Sequence, residues 1–248
     1  MLEASNLYKS FGALKVTNDV SFSLEKGERR VILGPNGAGK TTLFNLLVGE
    51  LEPTKGTIKL GGEDVTNISM EKRARMGMAR SYQKNNLFED LTIRENLALA
   101  VSAAQGSSSW ISRDSLKDSE LNRVIEDVSD QVSLRQLLET PVNSASYGVR
   151  RQLEVGIALA TNPSVLLMDE PTSGVGPEMI KGFHTLLKTL PEDLTVLIIE
   201  HDMDLALDVA DRVTVLNYGE VVFEGTPEET RKSPLVEEIY LGGWDTDA

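Results

Sequence analysis

The segment GPNGAGKTT, residues 34–42, has the composition and spacing of a loop that holds phosphate groups. Its residues fit the pattern G-x-x-x-x-G-K-[ST], in which glycines let backbone N–H groups turn toward phosphate oxygens. The N-terminus of a following helix adds about half a positive charge. We therefore call residues 34–42 the phosphate loop, and we expect Lys40 to reach β and γ phosphates and Thr41 to ligate Mg²⁺.

A pair of adjacent acids follows the apolar run VLLM. Four apolar residues place Asp169 at the end of a buried strand, where its carboxylate would hold Mg²⁺ through water. Glu170 comes next and would polarise a water molecule that attacks phosphate, an effect typically worth about 10² to 10⁴ in rate. The alternative is a solvated pair of strand-end carboxylates, and the phosphate loop in the same chain favours the Mg²⁺ site over it.

Two further positions are candidates for contact with phosphate. His201 follows the apolar run LTVLII and one glutamate, so its imidazole would arrive at the same sheet edge as Asp169. Ser146 and Gly148 precede a predicted helix, and a serine N-cap with free N–H groups nearby can bind phosphate. Because one chain then holds two γ-phosphate sites, we expect a dimer in which each second site closes over the partner's nucleotide.

Short strands and a helix are predicted to position these residues. The run RRVIL reads as a strand that ends at Gly34, and leucines recur at helical spacing just after the phosphate loop. The runs SVLLMD and LTVLII are almost wholly apolar and each is followed by or ends in charge, as is typical of strands buried on both faces of a parallel sheet. Ligands bind at the carboxyl ends of such strands, so the candidate residues should meet there.

The remaining patterns divide the chain into a sheet region and a helical region. The segment VSFSL alternates apolar and polar residues, which predicts a half-buried strand. Thr92 and Glu95 have the spacing of a capping box at a helix start. We predict that residues 84–160 are mostly helical and that the charges of EKRARMGMAR form a solvated helix face.

Composition narrows the class of protein further. With 248 residues, 40% of them hydrophobic, the chain can form one globular unit with an inserted subdomain. It has no unbroken apolar run of about 18 residues and no apolar signal segment at its start, so we expect that it does not enter a membrane. The absence of cysteine excludes disulfides and thiol chemistry, and a formal charge of −13 argues against a nucleic-acid surface.

Taken in order, these motifs resemble those of the ATP-binding subunit of an ABC transporter, over nearly the whole chain. The ordered features are the Walker A loop at residues 34–41, SYQ with Gln83 at the Q-loop position, the signature at residues 145–149, Walker B at Asp169 and Glu170, and His201 at the switch position. The resemblance implies an α/β fold, a P-loop NTPase of ABC type. It has a mostly parallel core sheet, an N-terminal antiparallel β subdomain and an inserted helical subdomain. Residues 1–83 and 161–248 would form the ATP-binding core, and residues 84–160 the helical subdomain.

The resemblance also implies the roles of individual residues. Glu170, His201 and Gln83 would be catalytic, and Thr41, Gln83 and Asp169 would hold Mg²⁺. The aromatic ring of Phe11 would stack on adenine. The residues implied to contact ATP are Phe11, Gly34, Pro35, Asn36, Gly37, Ala38, Gly39, Lys40, Thr41, Thr42, Ser146 and Gly148.

As implied partners, the resemblance gives transmembrane permease subunits, a second ATP-binding subunit and, indirectly, a periplasmic or extracellular solute-binding protein. The chain would lie on the cytoplasmic face of the membrane, where Leu87 and Phe88 would line a groove for a permease helix. The segments SYGVRRQLEVGIALA and EEIYLGG are similar to the subfamily for uptake of branched-chain amino acids, amides and urea. Lipid and lipopolysaccharide exporters share the YLG ending, so an exporter subunit is the alternative.

Two departures from the family pattern matter for the chemistry, one in the signature and one in the D-loop. The usual L-S-G-G-Q signature appears as ASYGV, so Val149 lacks a hydrogen-bonding side chain, and Gly176 replaces the D-loop aspartate. Both motifs act on the partner's nucleotide, so we expect this chain to work with a different ATPase subunit. A P-loop ATPase outside a transporter, a small-molecule kinase and a binding module without hydrolysis are the rival readings.

Overall fold

A computed structural model describes residues 1–81, 87–105, 119–173 and 177–241. These residues form two β-sheets with helices packed around them. The strands are β1 (Leu2–Phe11), β2 (Leu14–Leu24), β3 (Arg29–Leu33), β4 (Lys55–Leu60), β5 (Glu63–Asp64), β6 (Met78–Ser81), β7 (Val165–Asp169), β8 (Thr195–Ile199), β9 (Arg212–Asn217) and β10 (Glu220–Gly225). The helices are α1 (Lys40–Val48), α2 (Met70–Arg75), α3 (Ile93–Ala104), α4 (Ser119–Gln131), α5 (Tyr147–Leu159), α6 (Pro177–Thr189), α7 (Met203–Val209), α8 (Pro227–Lys232) and α9 (Pro234–Leu241).

The larger sheet is parallel apart from one edge strand. Its order is β10-β9-β3-β8-β7-β6, and β10 alone pairs antiparallel within it, whereas the smaller sheet, β2-β1-β4-β5, is antiparallel throughout. Ile199 lies opposite both Ile32 and Asp169 in the register. The carboxyl ends of β3, β7 and β8 therefore lie side by side, and we call this line of strand ends the carboxyl edge.

The strands predicted from the runs SVLLMD and LTVLII are confirmed as β7 and β8. Every residue of β7 and β8 is buried, as expected for the middle of a parallel sheet covered on both faces. The alternating segment VSFSL is also confirmed, because Val20, Phe22 and Leu24 are buried on β2 and the two serines between them are exposed. Among the described residues, no helix has both the length and the apolar character needed to cross a membrane.

The helical region packs onto the parallel sheet through a shared apolar core. Leu33 of β3, Leu97 of α3 and Leu153 of α5 belong to one cluster of buried side chains. Helix α3 starts at the predicted capping box, in which Thr92 Oγ1 accepts from the Glu95 N–H and the Glu95 carboxylate accepts from the Thr92 N–H. This arrangement fixes the entry of the chain into the helical region.

Between residues 84 and 160, the described part of the chain is mostly helical, as predicted. It contains α3, α4, α5 and two short 3₁₀ turns, Arg135–Leu137 and Val142–Ser144. The division of the chain at residues 84 and 160 into a core and a separate helical subdomain stays a prediction.

The prediction that EKRARMGMAR forms a solvated helix face is confirmed for only part of the segment. Helix α2 covers its first part, where Glu71, Lys72 and Arg75 are exposed. The prediction is wrong for Arg73, which is 1% exposed. The Arg73 guanidinium donates to the carbonyl oxygens of Leu46 at 2.8 Å, Leu47 at 2.5 Å, Thr66 at 3.0 Å and Ile68 at 2.9 Å. Burial lowers the pKa of Arg73 to about 10. The sequence pattern missed this because the carbonyls at the end of α1 come from residues 26 and 27 positions away.

We expect Arg73→Met to destabilise the fold by about 3 kcal/mol, because buried carbonyls that lose their donors each cost about 1 to 3 kcal/mol before relaxation. Urea unfolding followed by circular dichroism measures the change. Arg75→Met, an exposed position on the same helix, is the matched control. An unfolding free energy equal to that of the control would show that the carbonyls find water instead.

Candidate active site

The phosphate loop joins β3 to α1 at the carboxyl edge, as predicted. A side chain at Gly34 would place its Cβ 2.3 Å from the carbonyl oxygen of Leu216, and one at Gly39 would lie 2.5 Å from that of Val16. Gly39 also has a φ of +97°, which favours glycine. The loop therefore runs so close to the neighbouring strands that only glycine fits at these two positions.

The start of α1 is left open for an anion. No side chain caps the helix at Gly39, and its first turn contains no acidic residue. The N–H groups at this end are therefore available to an anion, and the helix dipole adds positive potential. The loop is held from behind by the Gly219 N–H, which donates to the carbonyl oxygen of Ala38 at 2.9 Å.

Exposure varies along the phosphate loop. Asn36, Gly37 and Thr41 are exposed, whereas Gly34 and Ala38 are buried and Pro35 and Thr42 are half-buried. The hydroxyl of Thr41, at the second position of α1, faces an accessible region where it can take part in ligand binding.

Lys40 provides the positive charge within the loop. Its side chain is buried, and its Nζ donates to the carbonyl oxygens of Gly34 at 2.7 Å and Pro35 at 3.1 Å. Burial lowers the Lys40 pKa, and the nearby carboxylates of Glu170 and Asp169 oppose that shift. The ammonium group is therefore bonded to the loop backbone and lies within electrostatic range of the two acids predicted from the sequence.

Asp169 carries an acceptor that nothing in the described chain satisfies. Its side chain is 3% exposed and its Oδ1 is buried without a hydrogen-bond partner among the described residues. Burial and the neighbouring carboxylate of Glu170 raise the Asp169 pKa to about 6. A buried carboxylate oxygen left without a donor suits a hard cation such as Mg²⁺, which prefers oxygen ligands.

Glu170 adopts a strained backbone conformation at the end of β7. Its φ is +43°, uncommon for a residue with a side chain, while its N–H still donates to the carbonyl oxygen of Ile199 at 2.8 Å. Strained residues held by surrounding structure cluster at functional sites. The Glu170 side chain lies just beyond the end of β7, next to Asp169 in the chain, and is partly exposed.

His201 meets Glu170 across the end of β8. The distance from His201 Nδ1 to Glu170 Oε1 is 3.9 Å, and the imidazole is half-exposed. The structure therefore brings together the phosphate loop, Asp169, Glu170 and His201, as the strand patterns predicted.

Ser146 and Gly148 do not belong to this edge, because they lie at the start of α5 in the helical region. Ser146 is the N-cap residue, and its Oγ accepts from the Val149 N–H at 3.4 Å. Ser146 is exposed, and the side chain of Val149 packs against the core. This is the placement expected for a second site that faces outward.

Three predicted functional residues are not part of the carboxyl edge as the structure describes it. Phe11 ends β1, is 49% exposed and lies under Lys9 Nζ, 5.3 Å from the ring centroid. Gln83, predicted as a catalytic and Mg²⁺ residue, and Gly176, predicted at the D-loop, fall outside the described residues.

Sequence reasoning missed a third acid at the site. Glu200 continues β8 directly before His201 and is fully buried. Its Oε1 accepts from the N–H and the hydroxyl of Thr172. The sequence signal that could have identified Glu200 is its position, an acid directly after the apolar run LTVLII.

Comparison with known proteins places this geometry in a family. Residues 17–173 match the model of the ABC transporter family. The chain is 34% identical to the high-affinity branched-chain amino acid transport ATP-binding protein BraF of Pseudomonas aeruginosa, with 98% of each chain covered. It is 35% identical to the corresponding protein LivG of Salmonella typhimurium, again over 98% of each.

A solved structure agrees with these relatives. The fold superposes on the ADP conformation of MJ1267, an ATP-binding cassette of an ABC transporter, with a TM-score of 0.85 at 29% identity, covering 98% of both chains. The predicted fold class, an ABC-type P-loop NTPase with a mostly parallel core sheet, is thereby confirmed. ATP-binding subunits of this family bind nucleotide, dimerise and work with membrane permeases. With the family model covering most of the chain and near-full-length relatives above 30% identity, this chain belongs to the ABC transporter family and is one of its ATP-hydrolysing cassettes.

Proposed function

We propose that this chain binds ATP with Mg²⁺ at the carboxyl edge and hydrolyses it to energise the uptake of a small polar solute. The observation that carries the proposal is that the strands before the phosphate loop and before Asp169 and Glu170 end side by side, with Lys40 in the loop at an uncapped helix N-terminus. Those groups supply a phosphate contact, a cation ligand and a general base within one site.

Each residue has a defined task in this proposal. The phosphate loop binds the triphosphate through backbone N–H groups, and Lys40 exchanges its loop carbonyls for phosphate oxygens. Asp169 and Thr41 hold Mg²⁺, together with Gln83 as the family resemblance implies. When bound, Mg²⁺ would supply positive charge that neutralises the charge developing on the phosphate. Glu170 orients the attacking water and takes its proton, and His201 contacts the γ phosphate.

Phosphate release from the purified chain tests this assignment. We expect saturable ATP binding and release of inorganic phosphate that requires Mg²⁺ and stops when the metal is chelated. Transfer of phosphate to an acceptor other than water would indicate a kinase. Binding without phosphate release, even with a second ATPase subunit added, would indicate a binding module.

We propose that two ATP-binding subunits close head to tail, so that Ser146 and Gly148 complete the partner's site. The N-cap geometry of Ser146 at an exposed helix start supports this placement. Because Val149 and Gly176 replace the usual polar residues of the signature and D-loop, the partner is expected to be a different ATPase subunit. Turnover measured with and without that subunit tests the idea, and vigorous turnover by this chain alone would contradict it.

We also propose that a cytoplasmic helix of a permease docks beside the helical region. An apolar cavity of about 200 Å³ lies there, lined by Leu87, Ile157, Ala158, Met78 and Val48. Leu87 lines this cavity, whereas Phe88 is exposed outside its lining, and the groove for a permease helix at these two residues stays a prediction. This contact would hold the chain at the cytoplasmic face of the membrane.

We expect Ile157→Glu to reduce copurification with the permease by about tenfold or more, because an unpaired carboxylate in an apolar contact is strongly unfavourable. ATP binding by the isolated chain should stay within about twofold, since Ile157 lies away from the phosphate loop. Leu137→Glu, an exposed leucine in the helical region, is the control. Equal recovery of permease with both variants would place the docking surface elsewhere.

The relatives BraF and LivG support branched-chain amino acids as the solute. The selecting residues would lie in other subunits, so the test is to identify which solute-binding protein and permease copurify with this chain. Capture of a lipid or lipopolysaccharide export permease instead would contradict uptake while leaving the ATPase assignment intact.

A further inference from the structure

Glu200 is a fully buried acid that the proposed hydrolysis does not use. Its side chain is 0% exposed, and its two oxygens serve two different loops. Oε1 accepts from the Thr172 N–H at 3.1 Å and from the Thr172 hydroxyl at 2.7 Å, and Oε2 accepts from the His201 N–H at 3.1 Å. All three donors have directions fixed by the local backbone or by a buried side chain.

These contacts join the segments that carry the catalytic side chains. Thr172 comes two residues after Glu170, and His201 directly follows Glu200. The Glu200 N–H donates to the carbonyl oxygen of Ile32 at 3.1 Å, so the glutamate is also tied to β3, the strand that leads into the phosphate loop. The Glu200 side chain thus connects the segments after β7 and β8, and the backbone of the same residue ties them to β3.

The surroundings of Glu200 make a purely space-filling role a poor explanation. A buried carboxylate is costly unless hydrogen bonds and nearby charge compensate it, and an apolar side chain would fill the space without that cost. The His201 Nδ1 lies 3.7 Å from Glu200 Oε2, and Lys40, Asp169 and the buried hydroxyl of Tyr240 on α9 are within electrostatic range. What an apolar residue could not do is hold Thr172 and His201 in a fixed relation.

We propose that Glu200 is a positioning residue for ATP hydrolysis, which fixes the segment after Glu170 relative to the backbone of His201. The inference rests on the roles proposed above for Glu170 and His201. It predicts that Glu200 affects the rate of hydrolysis more than the affinity for ATP, because the bonds act behind the reacting groups rather than on the nucleotide.

Glu200→Gln tests the proposal with almost no change in shape. The amide has one oxygen, so its NH₂ group must face either the Thr172 N–H or the His201 N–H, and one donor meets another donor. We expect kcat to fall about tenfold, the effect of losing one hydrogen bond to a charged group, with the dissociation constant of ATP changed less than about threefold. Phosphate release and a nucleotide titration measure the two quantities.

A second pair of variants leaves the carboxylate in place. Thr172→Val removes the hydroxyl donor and should lower kcat, whereas Thr172→Ser keeps the donor and should retain nearly the wild-type rate. A merely structural role for Thr172 would give the opposite order, because valine preserves the buried volume better than serine. This pair also decides the matter if Glu200→Gln does not fold.

The last experiment measures the effect of Glu200→Gln in a chain that already carries Glu170→Gln. If Glu200 acts through Glu170, adding Glu200→Gln to Glu170→Gln should lower the residual rate by less than about twofold, since coupled positions are not additive. The control for burying an amide is Glu28→Gln. Glu28 is a buried glutamate at the opposite end of β3 and pairs with Arg30 at 2.7 Å. We expect this control to keep the wild-type kcat.

Two results would overturn the proposal. One is a Glu200→Gln kcat equal to that of Glu28→Gln, and the other is an equal fall in ATP affinity and rate. Both are distinguishable from a failure of the proposed site. If Glu170→Gln itself hydrolyses ATP at the wild-type rate, the assignment of the general base fails rather than that of Glu200.

Discussion

Glu170→Gln is expected to bind ATP as the wild-type chain does and to hydrolyse it about 10² times more slowly or worse, the loss typical of a missing general base. This corresponds to about 3 kcal/mol of transition-state stabilisation, at 1.36 kcal/mol per factor of ten. Binding should survive because the phosphate loop and Lys40 do not depend on the Glu170 carboxylate for their hydrogen bonds. Glutamine keeps the size of the side chain but removes its negative charge and its ability to accept a proton.

Single-turnover phosphate release, combined with a fluorescent nucleotide titration, separates the two effects. Glu139→Gln serves as the control, because Glu139 is an exposed carboxylate paired with Arg94 at 2.6 Å in the helical region. We expect this control to hydrolyse ATP normally. A Glu170→Gln rate within about threefold of the control would remove Glu170 from the mechanism, since a general base contributes about 10² or more.

Lys40→Met is expected to weaken ATP binding by about 10² or more. Each hydrogen bond to a charged group is worth about 1.5 to 3 kcal/mol, and Lys40 can give at least two to phosphate oxygens once it leaves the carbonyls of Gly34 and Pro35. Methionine fills nearly the same buried volume without the charge. Isothermal titration with Mg²⁺ and a slowly hydrolysed ATP analogue measures the loss.

A parallel urea unfolding experiment shows whether the Lys40 variant is folded when its affinity is measured. Lys188→Met is the matched control, because Lys188 is half-exposed and pairs with Asp208 at 2.7 Å on the surface. If Lys40→Met bound the nucleotide as tightly as this control, the backbone N–H groups alone would hold the phosphates. The role of the ammonium group would then be limited to the chemical step.

The Lys40 and Glu170 variants are expected to affect nucleotide binding and the chemical step respectively, because the two residues lie on different elements of the structure. Lys40 stands on α1 within the loop, while Glu170 extends from a strained turn at the end of β7. Their side chains influence each other electrostatically, because the Glu170 carboxylate opposes the burial effect on the Lys40 pKa. Removing either charge therefore changes the other residue's environment without removing its own hydrogen bonds.

The sequence by itself determined the features that depend on neighbouring residues. A glycine-rich loop between a β-branched run and a leucine-rich helix predicts phosphate binding, because N–H direction and helix dipole are local properties. Apolar runs that end in charge placed Asp169, Glu170 and His201 at one edge, since parallel strands end together. The capping box at Thr92 is local in the same way, and all of these were found where they were expected.

Only the tertiary structure decided the features that require distant parts of the chain to meet. Glu200 accepts from Thr172, 28 positions away, and Arg73 donates to the end of α1, 26 and 27 positions away. The pKa of Asp169, about 6, comes first from burial, which a motif does not report. Hydrogen bonds and desolvation act through space, so charged residues that the sequence pattern alone would place on the surface are buried and hydrogen-bonded, Glu200 in the site and Arg73 in the fold.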